Sequence, residues 1–347
     1  MTGSVIECKR YFQMRLNKTQ CANIKGIAIL IIVIHNFTSH LLNIESNEMV
    51  YNQHITDYFM NNIWSADALW LWFSFLGWCA VAAFFFLSGY GLAIKYDIRD
   101  INHKKYISHH LVKLWKLLIP VYLIYVLVYH FYFQHNYSFL VFTGHLTFTI
   151  NFFIYKSYTL EPGPYWFFGA ILQLYFLFLF IRKLNIKWLI TLCAIFILYY
   201  YYIVLYSGDK QLSLWSRVNF LGWATPFIMG IIYAKANATI ALSRPTIATL
   251  CALSLVMCFI SMTNKPMVPL TEVFAVTFLI CFVKLFTFKI FTILGAISAS
   301  LFVVHPFFRM LFLEYSHGSC HTTTVTLCYL MITLLFSWIH DKFKSLK

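Results

Sequence analysis

Ten long apolar stretches are the feature of this 347-residue chain that most restricts how it can fold. Their lengths are close to the ~17–25 residues that an α-helix needs to cross the hydrocarbon core of a bilayer. Only 11% of the residues are charged, whereas soluble domains average about 25%. A water-soluble enzyme is therefore nearly excluded, and we predict an integral membrane protein. The stretches cover residues 24–42, 69–94, 114–133, 165–181, 188–206, 218–234, 246–262, 268–283, 290–312 and 323–340.

An eleventh apolar run, 139–155, contains polar residues and decides the topology. If it crossed the membrane, the basic 182–187 segment would lie outside, against the tendency of Lys and Arg to stay cytoplasmic. If it enters the membrane and returns to the same side, the chain makes ten crossings with both termini in the cytoplasm. In that case 21 of the 26 Lys and Arg residues lie on the cytoplasmic side. The five that remain outside are Lys156, Lys210, Arg217, Lys265 and Arg309. We predict the ten-span topology, with segment 134–164 as the wall of a cavity, because irregular backbone at membrane depth must be covered or line a wet space.

The predicted fold class is all-α: a polytopic membrane helical bundle of about ten transmembrane helices plus one re-entrant or interfacial segment. No long linker divides residues 1–347, so we expect a single membrane domain with no appended soluble domain. The net charge of +14 would suggest nucleic acid on a soluble domain, but here we attribute it to cytoplasmic loops and predict a lipid bilayer and no nucleic acid as partner. The cysteines lie mostly in apolar runs without CxxC pairs, so no metal site is predicted.

His35 is the most informative polar residue, because an ionisable group inside a span is costly and marks a site by default. It lies ten residues after Lys25, about 15 Å along the helix and past the middle of the membrane. Burial there favours the neutral imidazole, which is the form that a general base or an acyl-accepting nucleophile needs. A histidine that only packs against a neighbouring carbonyl is an equally good interpretation. His40, nearer the outer interface, fits a wetted interfacial residue.

The segment between the second and third spans is strongly basic. A loop of this kind usually reflects topology and contact with anionic lipids. Binding of a phosphorylated ligand is the alternative, because Lys and Arg serve both roles. The cations concerned are Lys95, Arg99, Lys104, Lys105, Lys113 and Lys116.

The ninth span carries a polar stripe. Ser298 and His305 are seven residues apart and share a helix face, and Arg309 follows one turn later. Pro306 is expected to kink this helix and to free backbone groups. A kinked span that holds both a His and an Arg is harder to explain by packing alone.

Five short motifs, in this order, resemble the acyltransferase-3 family of integral membrane acyltransferases over nearly the whole chain. They are Lys25-Gly-Ile-Ala with a histidine half a membrane above it, Phe84-Phe-Phe-Leu-Ser-Gly-Tyr90, the basic loop leading to Leu118-Ile-Pro120, Pro164-Tyr-Trp-Phe167, and Leu301-Phe-Val-Val-His305-Pro306. The resemblance implies transfer of an acyl group, commonly acetyl, from cytoplasmic acyl-CoA as co-substrate to a hydroxyl of a surface glycan or a lipid-linked sugar. It implies no bound cofactor, and it is typical of a bacterial cytoplasmic membrane.

By the same resemblance, His35 would be the catalytic histidine, and the basic loop with Lys25 would hold the CoA phosphates. The supporting cavity residues would be Asn36, His40, Trp166, Gln173, Ser298, His305 and Arg309. The acyl-CoA-binding residues would be Lys25, Lys95, Arg99, Lys104, Lys105 and Lys113.

The chain departs from the family pattern at two places. The family has Arg and ten intervening residues before its histidine, whereas this chain has Lys and nine, so that Asn36 occupies the family histidine position in an ungapped comparison. Where many members have a Glu five or six residues after the Trp, this chain has Ile171 and Leu172, followed by Gln173. A transporter or flippase for a polysaccharide or its precursor is the competing function, although the paired repeats typical of transporters are not evident.

Overall fold

Helices form nearly all of the chain in the computed structural model, which describes residues 11–44, 47, 51–96, 100–153, 161–236, 241–315 and 321–345. The first half contains a short strand and eight α-helices. These are β1 (Tyr11–Gln13), α1 (Lys18–Leu41), α2 (Gln53–Asn62), α3 (Ala68–Leu76), α4 (Val81–Tyr96), α5 (His103–Leu127), α6 (Phe139–Leu146), α7 (Ile150–Phe153) and α8 (Trp166–Ile181).

The second half of the chain is also mainly helical. Strand β2 pairs with β1 in antiparallel fashion and is the only strand besides β1 among the described residues. The elements are α9 (Ile186–Leu205), α10 (Lys210–Val218), α11 (Ala224–Ala236), β2 (Ala241–Ser243), α12 (Arg244–Thr263), α13 (Thr271–Leu285), α14 (Lys289–Ala296), α15 (Ser298–Tyr315) and α16 (Thr322–Ser345).

The prediction of an all-α polytopic bundle is confirmed. Within the described ranges, eight helical segments are long and apolar enough to cross a membrane, and α14 with α15 adds a ninth if this bent pair is one span. The pair bends by 73° at Ile297. Pro306 lies inside α15, and the kink there stays a prediction. The remaining predicted span, 218–234, corresponds to the shorter apolar helix α11.

The apolar run 139–155 does not form one helix. It is divided into the eight-residue α6 and the four-residue α7 by a turn at Phe148, whose φ is 58°. At 1.5 Å per residue neither piece approaches the thickness of a bilayer. This broken backbone agrees with the prediction that the segment enters the helical bundle without crossing the membrane as a span.

Glycines allow two helix pairs to approach at backbone distance. A Cβ atom at Gly26 of α1 would lie 2.0 Å from the Phe291 carbonyl oxygen of α14, and one at Gly295 would lie 1.9 Å from the Ala22 oxygen. Gly89 of α4 and Gly230 of α11 are related in the same reciprocal way. Such small-residue contacts are how helices associate closely in lipid, where no hydrophobic force drives them together.

Candidate functional site

Three lysines that are distant in the sequence line one cavity, which we call the lysine cavity. Lys25 of α1, Lys95 of α4 and Lys113 of α5 surround a space of about 360 Å³. Ser298, at the start of α15, also lines it. The rest of the wall is mostly aromatic and aliphatic, so the space combines cations with an apolar lining, which suits a ligand that has both phosphate and apolar parts.

Some residues of segment 84–91 pack against a neighbouring helix, and others line the lysine cavity. Gly89 faces α11, where any side chain would meet the Phe227 backbone. Ser88 and Gly91 line the cavity, and a Cβ atom at Gly91 would meet no other atom within 4 Å. One glycine therefore serves helix association, as expected for a packing motif, and the other leaves the cavity open.

A second space, the arginine cavity, has a volume of about 180 Å³ and is lined by Arg309 of α15. Asn36 and His40 of α1 form one side of it, and Glu161 and Trp166 form another. The Arg309 guanidinium donates from Nη1 to Asn36 Oδ1 at 3.4 Å. A cation, a carboxylate, an imidazole and an amide thus meet around one small cavity, a grouping of polar and charged side chains that is typical of binding and catalytic sites.

Glu161 is held in place by hydrogen bonds from α5 and from the segment 134–164. The Tyr125 hydroxyl donates to Glu161 Oε2 at 3.1 Å. His145 of α6 donates from Nε2 to the Glu161 carbonyl at 3.0 Å, and Tyr137 donates to the same carbonyl. Gly163 and Pro164 also line the arginine cavity, so the prediction that residues 134–164 contribute a cavity wall is confirmed for this part of the segment.

Trp166 is fixed at the first turn of α8 by stacking. Its ring lies 5.3 Å from the Trp223 ring, with an angle of 19° between the two planes. Asn151 of α7 donates to the Trp166 carbonyl at 2.8 Å, and Gly169 leaves room for the Asn151 amide. The indole therefore forms a rigid part of the wall of the arginine cavity.

His35 lies in the protein interior, on a different face of α1 from Asn36. It is 3% exposed, and it is not among the residues that line the arginine or the lysine cavity. Nδ1 donates to the carbonyl oxygens of Phe73, at 3.2 Å, and Ser74, at 3.0 Å. Both acceptors require a proton on Nδ1, so in the neutral tautomer of this ring the lone pair belongs to Nε2. Gly77 provides the space for this arrangement, because a Cβ atom there would lie 2.4 Å from His35 Cβ.

Four other described residues that were predicted for the site do not line either cavity. Gln173 donates to Asn219 Oδ1 at 2.8 Å and accepts from the Phe220 backbone, which connects α8 to the turn before α11. His305 is fully buried beside the Phe302 ring, and its Nε2 has no hydrogen-bond partner among the described residues. Lys104 and Lys105 are exposed in the first turn of α5. Arg99 lies outside the described residues.

Several cavity residues were not predicted for the site. In the sequence, Glu161 is followed by Pro162 and Pro164, a pattern that is typical of the entry to a helix and does not by itself indicate a site. His109, His110 and Tyr175 also line the lysine cavity. The two histidines lie in the basic segment between Lys105 and Lys113, whereas nothing in the sequence distinguishes Tyr175. Among the described residues no group of three His, Cys, Asp or Glu side chains is arranged to hold a metal ion.

A model of a known protein family matches the part of the chain that forms both cavities. The model of the acyltransferase-3 family, described as an acyltransferase domain, matches residues 22–342. No curated protein and no solved structure matches the chain. The matched range begins in α1 and ends in α16, so every cavity residue named above falls within it.

Proposed function

We propose, for this chain that belongs to the acyltransferase-3 family, transfer of an acyl group, most simply acetyl, from cytoplasmic acyl-CoA to a hydroxyl outside the membrane. The family supports a membrane acyltransferase, and the identity of donor, acceptor and base is our proposal. The acceptor would be a hydroxyl of a surface glycan or of a lipid-linked sugar. The observation that carries this function is the pair of adjacent cavities, one lined by three lysines and one by Arg309, Glu161 and His40.

The lysine cavity suits the donor. Acyl-CoA carries phosphates, which cations bind, and a long, largely apolar arm that ends in the thioester. Lys25, Lys95 and Lys113 would pair with the phosphates, while Arg99, Lys104 and Lys105, which belong to the same basic segment of the sequence, would add long-range attraction for the donor. The apolar wall between them would hold the arm, so that the thioester points toward the arginine cavity.

The arginine cavity suits the acceptor and the reaction. His35 is the proposed base, since the carbonyl oxygens of Phe73 and Ser74 fix the proton of the neutral imidazole on Nδ1 and make Nε2 the nitrogen that would take the hydroxyl proton. The hydroxyl oxygen then bonds to the thioester carbon, the carbon–sulfur bond breaks, and the proton passes to the departing thiolate. Arg309 would stabilise the negative oxygen of the tetrahedral intermediate, and Asn36 keeps its guanidinium in position.

His40 is a second candidate for the base, because it lines the arginine cavity whereas His35 is not among the lining residues. A general base must come within hydrogen-bond reach of the proton that it removes, although such contacts often tighten only when substrate binds. Variants of the two histidines distinguish these alternatives, as described in the Discussion.

The proposed orientation of the chain in the membrane follows from the tendency of Lys and Arg to stay on the cytoplasmic side. With both termini in the cytoplasm the lysine cavity opens toward the cytoplasmic pool of acyl-CoA, and Glu161 and Arg309 lie toward the outside. For a bacterial protein this proposed orientation would correspond to the cytoplasmic membrane.

Neutralising the lysines of the cavity tests the donor site. We expect Lys25→Gln, Lys95→Gln and Lys113→Gln each to raise the Kd of acetyl-CoA about tenfold, because charge-assisted hydrogen bonds contribute about 1.5–3 kcal/mol. Lys104→Gln and Lys105→Gln are the matched controls, since exposed charges contribute about 1 kcal/mol or less and are screened by salt. Binding to the purified protein in lipid nanodiscs measures both sets at low and high salt.

Two results would contradict the proposal. If the wild-type protein shows no binding of acetyl-CoA at low salt, the chain does not use this donor, and transport of a polysaccharide precursor becomes the better function. If all five variants weaken binding equally, and only at low salt, the lysines act as a diffuse surface charge, and the cavity is not the donor site.

A further inference from the structure

The two cavities share two side chains, which lie between them. Phe167 of α8 and Phe302 of α15 line both the lysine cavity and the arginine cavity. Their ring centroids are 4.9 Å apart, at an angle of 53°. This separation is typical of aromatic rings in contact, so the two rings touch each other at the border that the cavities share.

The pair is supported from behind on both sides. Phe167 packs against Phe85 of α4, with the ring centroids 4.8 Å apart. Phe302 is 7% exposed and packs against Phe168 and His305, at 5.8 and 5.7 Å. Each ring nevertheless borders open space in both cavities, so rotation about its side-chain bonds can move it aside without displacing a helix.

From this arrangement we infer that Phe167 and Phe302 form a constriction that limits the length of the acyl group and keeps water from the thioester. The inference rests on the proposed function, because it assumes that the donor occupies the lysine cavity and the acceptor the arginine cavity. A short acyl group needs only a small displacement of the rings to present its carbonyl carbon to the acceptor. A longer group must place its methylenes in the passage that the rings fill.

The constriction would also favour transfer of the acyl group over hydrolysis of the thioester. In transfer, the acceptor oxygen bonds to the carbonyl carbon, the carbon–sulfur bond breaks, and the acceptor proton ends on the CoA thiol. In hydrolysis, water takes the place of the acceptor and yields a carboxylic acid and the same thiol. A closed aromatic pair disfavours the second reaction, because water that fills the arginine cavity does not reach the donor until an acceptor has bound.

Removing either ring tests the inference. We expect Phe302→Ala and Phe167→Ala to raise the rate of butyryl-CoA cleavage relative to acetyl-CoA by about tenfold or more, since one methylene in an apolar pocket changes specificity by about 10–200-fold. Release of free CoA without acceptor is expected to rise in the same variants. The assay uses the full chain in nanodiscs and a thiol reagent, with acetyl-, butyryl- and octanoyl-CoA as donors.

Phe84→Ala is the matched control, because Phe84 lines the lysine cavity and not the arginine cavity. The Phe84→Ala variant is allowed a different affinity for acyl-CoA. Its rate of butyryl-CoA cleavage relative to acetyl-CoA cleavage is expected to stay at the wild-type value. Phe302→Leu and Phe167→Leu provide smaller changes of volume if an alanine variant does not fold. Unfolding temperature in detergent identifies such a variant.

The outcomes separate the inference from the proposed function. If the wild-type protein neither binds nor cleaves any acyl-CoA in the presence of membrane glycan, the proposed function fails. If the wild-type protein is active, but the Phe302 and Phe167 variants keep both its acyl preference and its rate of hydrolysis, the constriction is overturned while the proposed function stands.

Discussion

Replacing His35 by glutamine is expected to slow acyl transfer by about 10²–10⁴-fold, the range that general acid–base catalysis contributes. The carbonyl oxygens of Phe73 and Ser74 keep the proton on Nδ1, so Nε2 is the basic nitrogen. Glutamine can still form hydrogen bonds but cannot accept the hydroxyl proton. The rate of transfer to the glycan acceptor at saturating acetyl-CoA measures the loss. His35→Ala is expected to be equally inactive, although it also removes a side chain that is 3% exposed and packs against Gly77.

Asn36→Ala and His40→Gln are the controls for this result, because both residues line the arginine cavity on the same helix as His35. With His35 as the base, both variants retain proton transfer and lose only contacts in the cavity. Loss of transfer in His40→Gln together with retained transfer in His35→Gln would assign the base to the cavity wall. If Asn36→Ala alone abolishes transfer, the alignment of the motif is wrong by one residue and His305 becomes the next candidate.

Replacing Glu272 by glutamine is expected to lower the free energy of unfolding by about 3–5 kcal/mol, because it removes one member of the buried Arg217–Glu272 ion pair. Arg217 is fully buried and donates from Nη1 to Glu272 Oε1. Its guanidinium carbon also lies 3.9 Å from the centroid of the Trp223 ring and 4.8 Å from that of Trp78. Denaturant-induced unfolding in detergent micelles measures the change.

Lys344→Gln provides the comparison for this prediction. The Lys344–Asp341 pair spans 2.8 Å, but its side chains are 39% and 28% exposed. A pair of this kind contributes about 0–1 kcal/mol, so its loss is expected to change the unfolding free energy little. Equal effects of Glu272→Gln and Lys344→Gln would mean that the environment of Arg217 is hydrated and that the pair does not support the bundle.

The fold was largely predictable, because the length of an apolar stretch determines whether a helix can cross a bilayer. Every predicted span contains a helix of the structure, and the run 139–155 is broken as expected. The largest difference is at 218–234, where the helix begins only at Ala224. Asn219 has an extended backbone there, and Phe220–Gly222 forms a short 3₁₀ turn, which local hydropathy does not reveal.

The site was less predictable, because cavity lining depends on how each helix is rotated against its neighbours. Consecutive helical residues differ by about 100° in direction, which is why Asn36 lines the arginine cavity while His35 does not. Lys25, Lys95 and Lys113 meet in one cavity although about 70 residues separate the first two. Glu161 could not be found from spacing, since the tyrosines and His145 that hold it belong to other parts of the chain.

The sidedness of acyl transfer tests the central claim most directly. Sealed membrane vesicles of each orientation, prepared with and without the protein, are supplied with labelled acetyl-CoA on their outer surface only. We predict protein-dependent labelling of the glycan fraction in inside-out vesicles, where the lysine cavity faces the donor, and none in right-side-out vesicles. Labelling in right-side-out vesicles alone, or protein-independent labelling in both, would contradict transfer from a cytoplasmic donor to an acceptor outside the membrane.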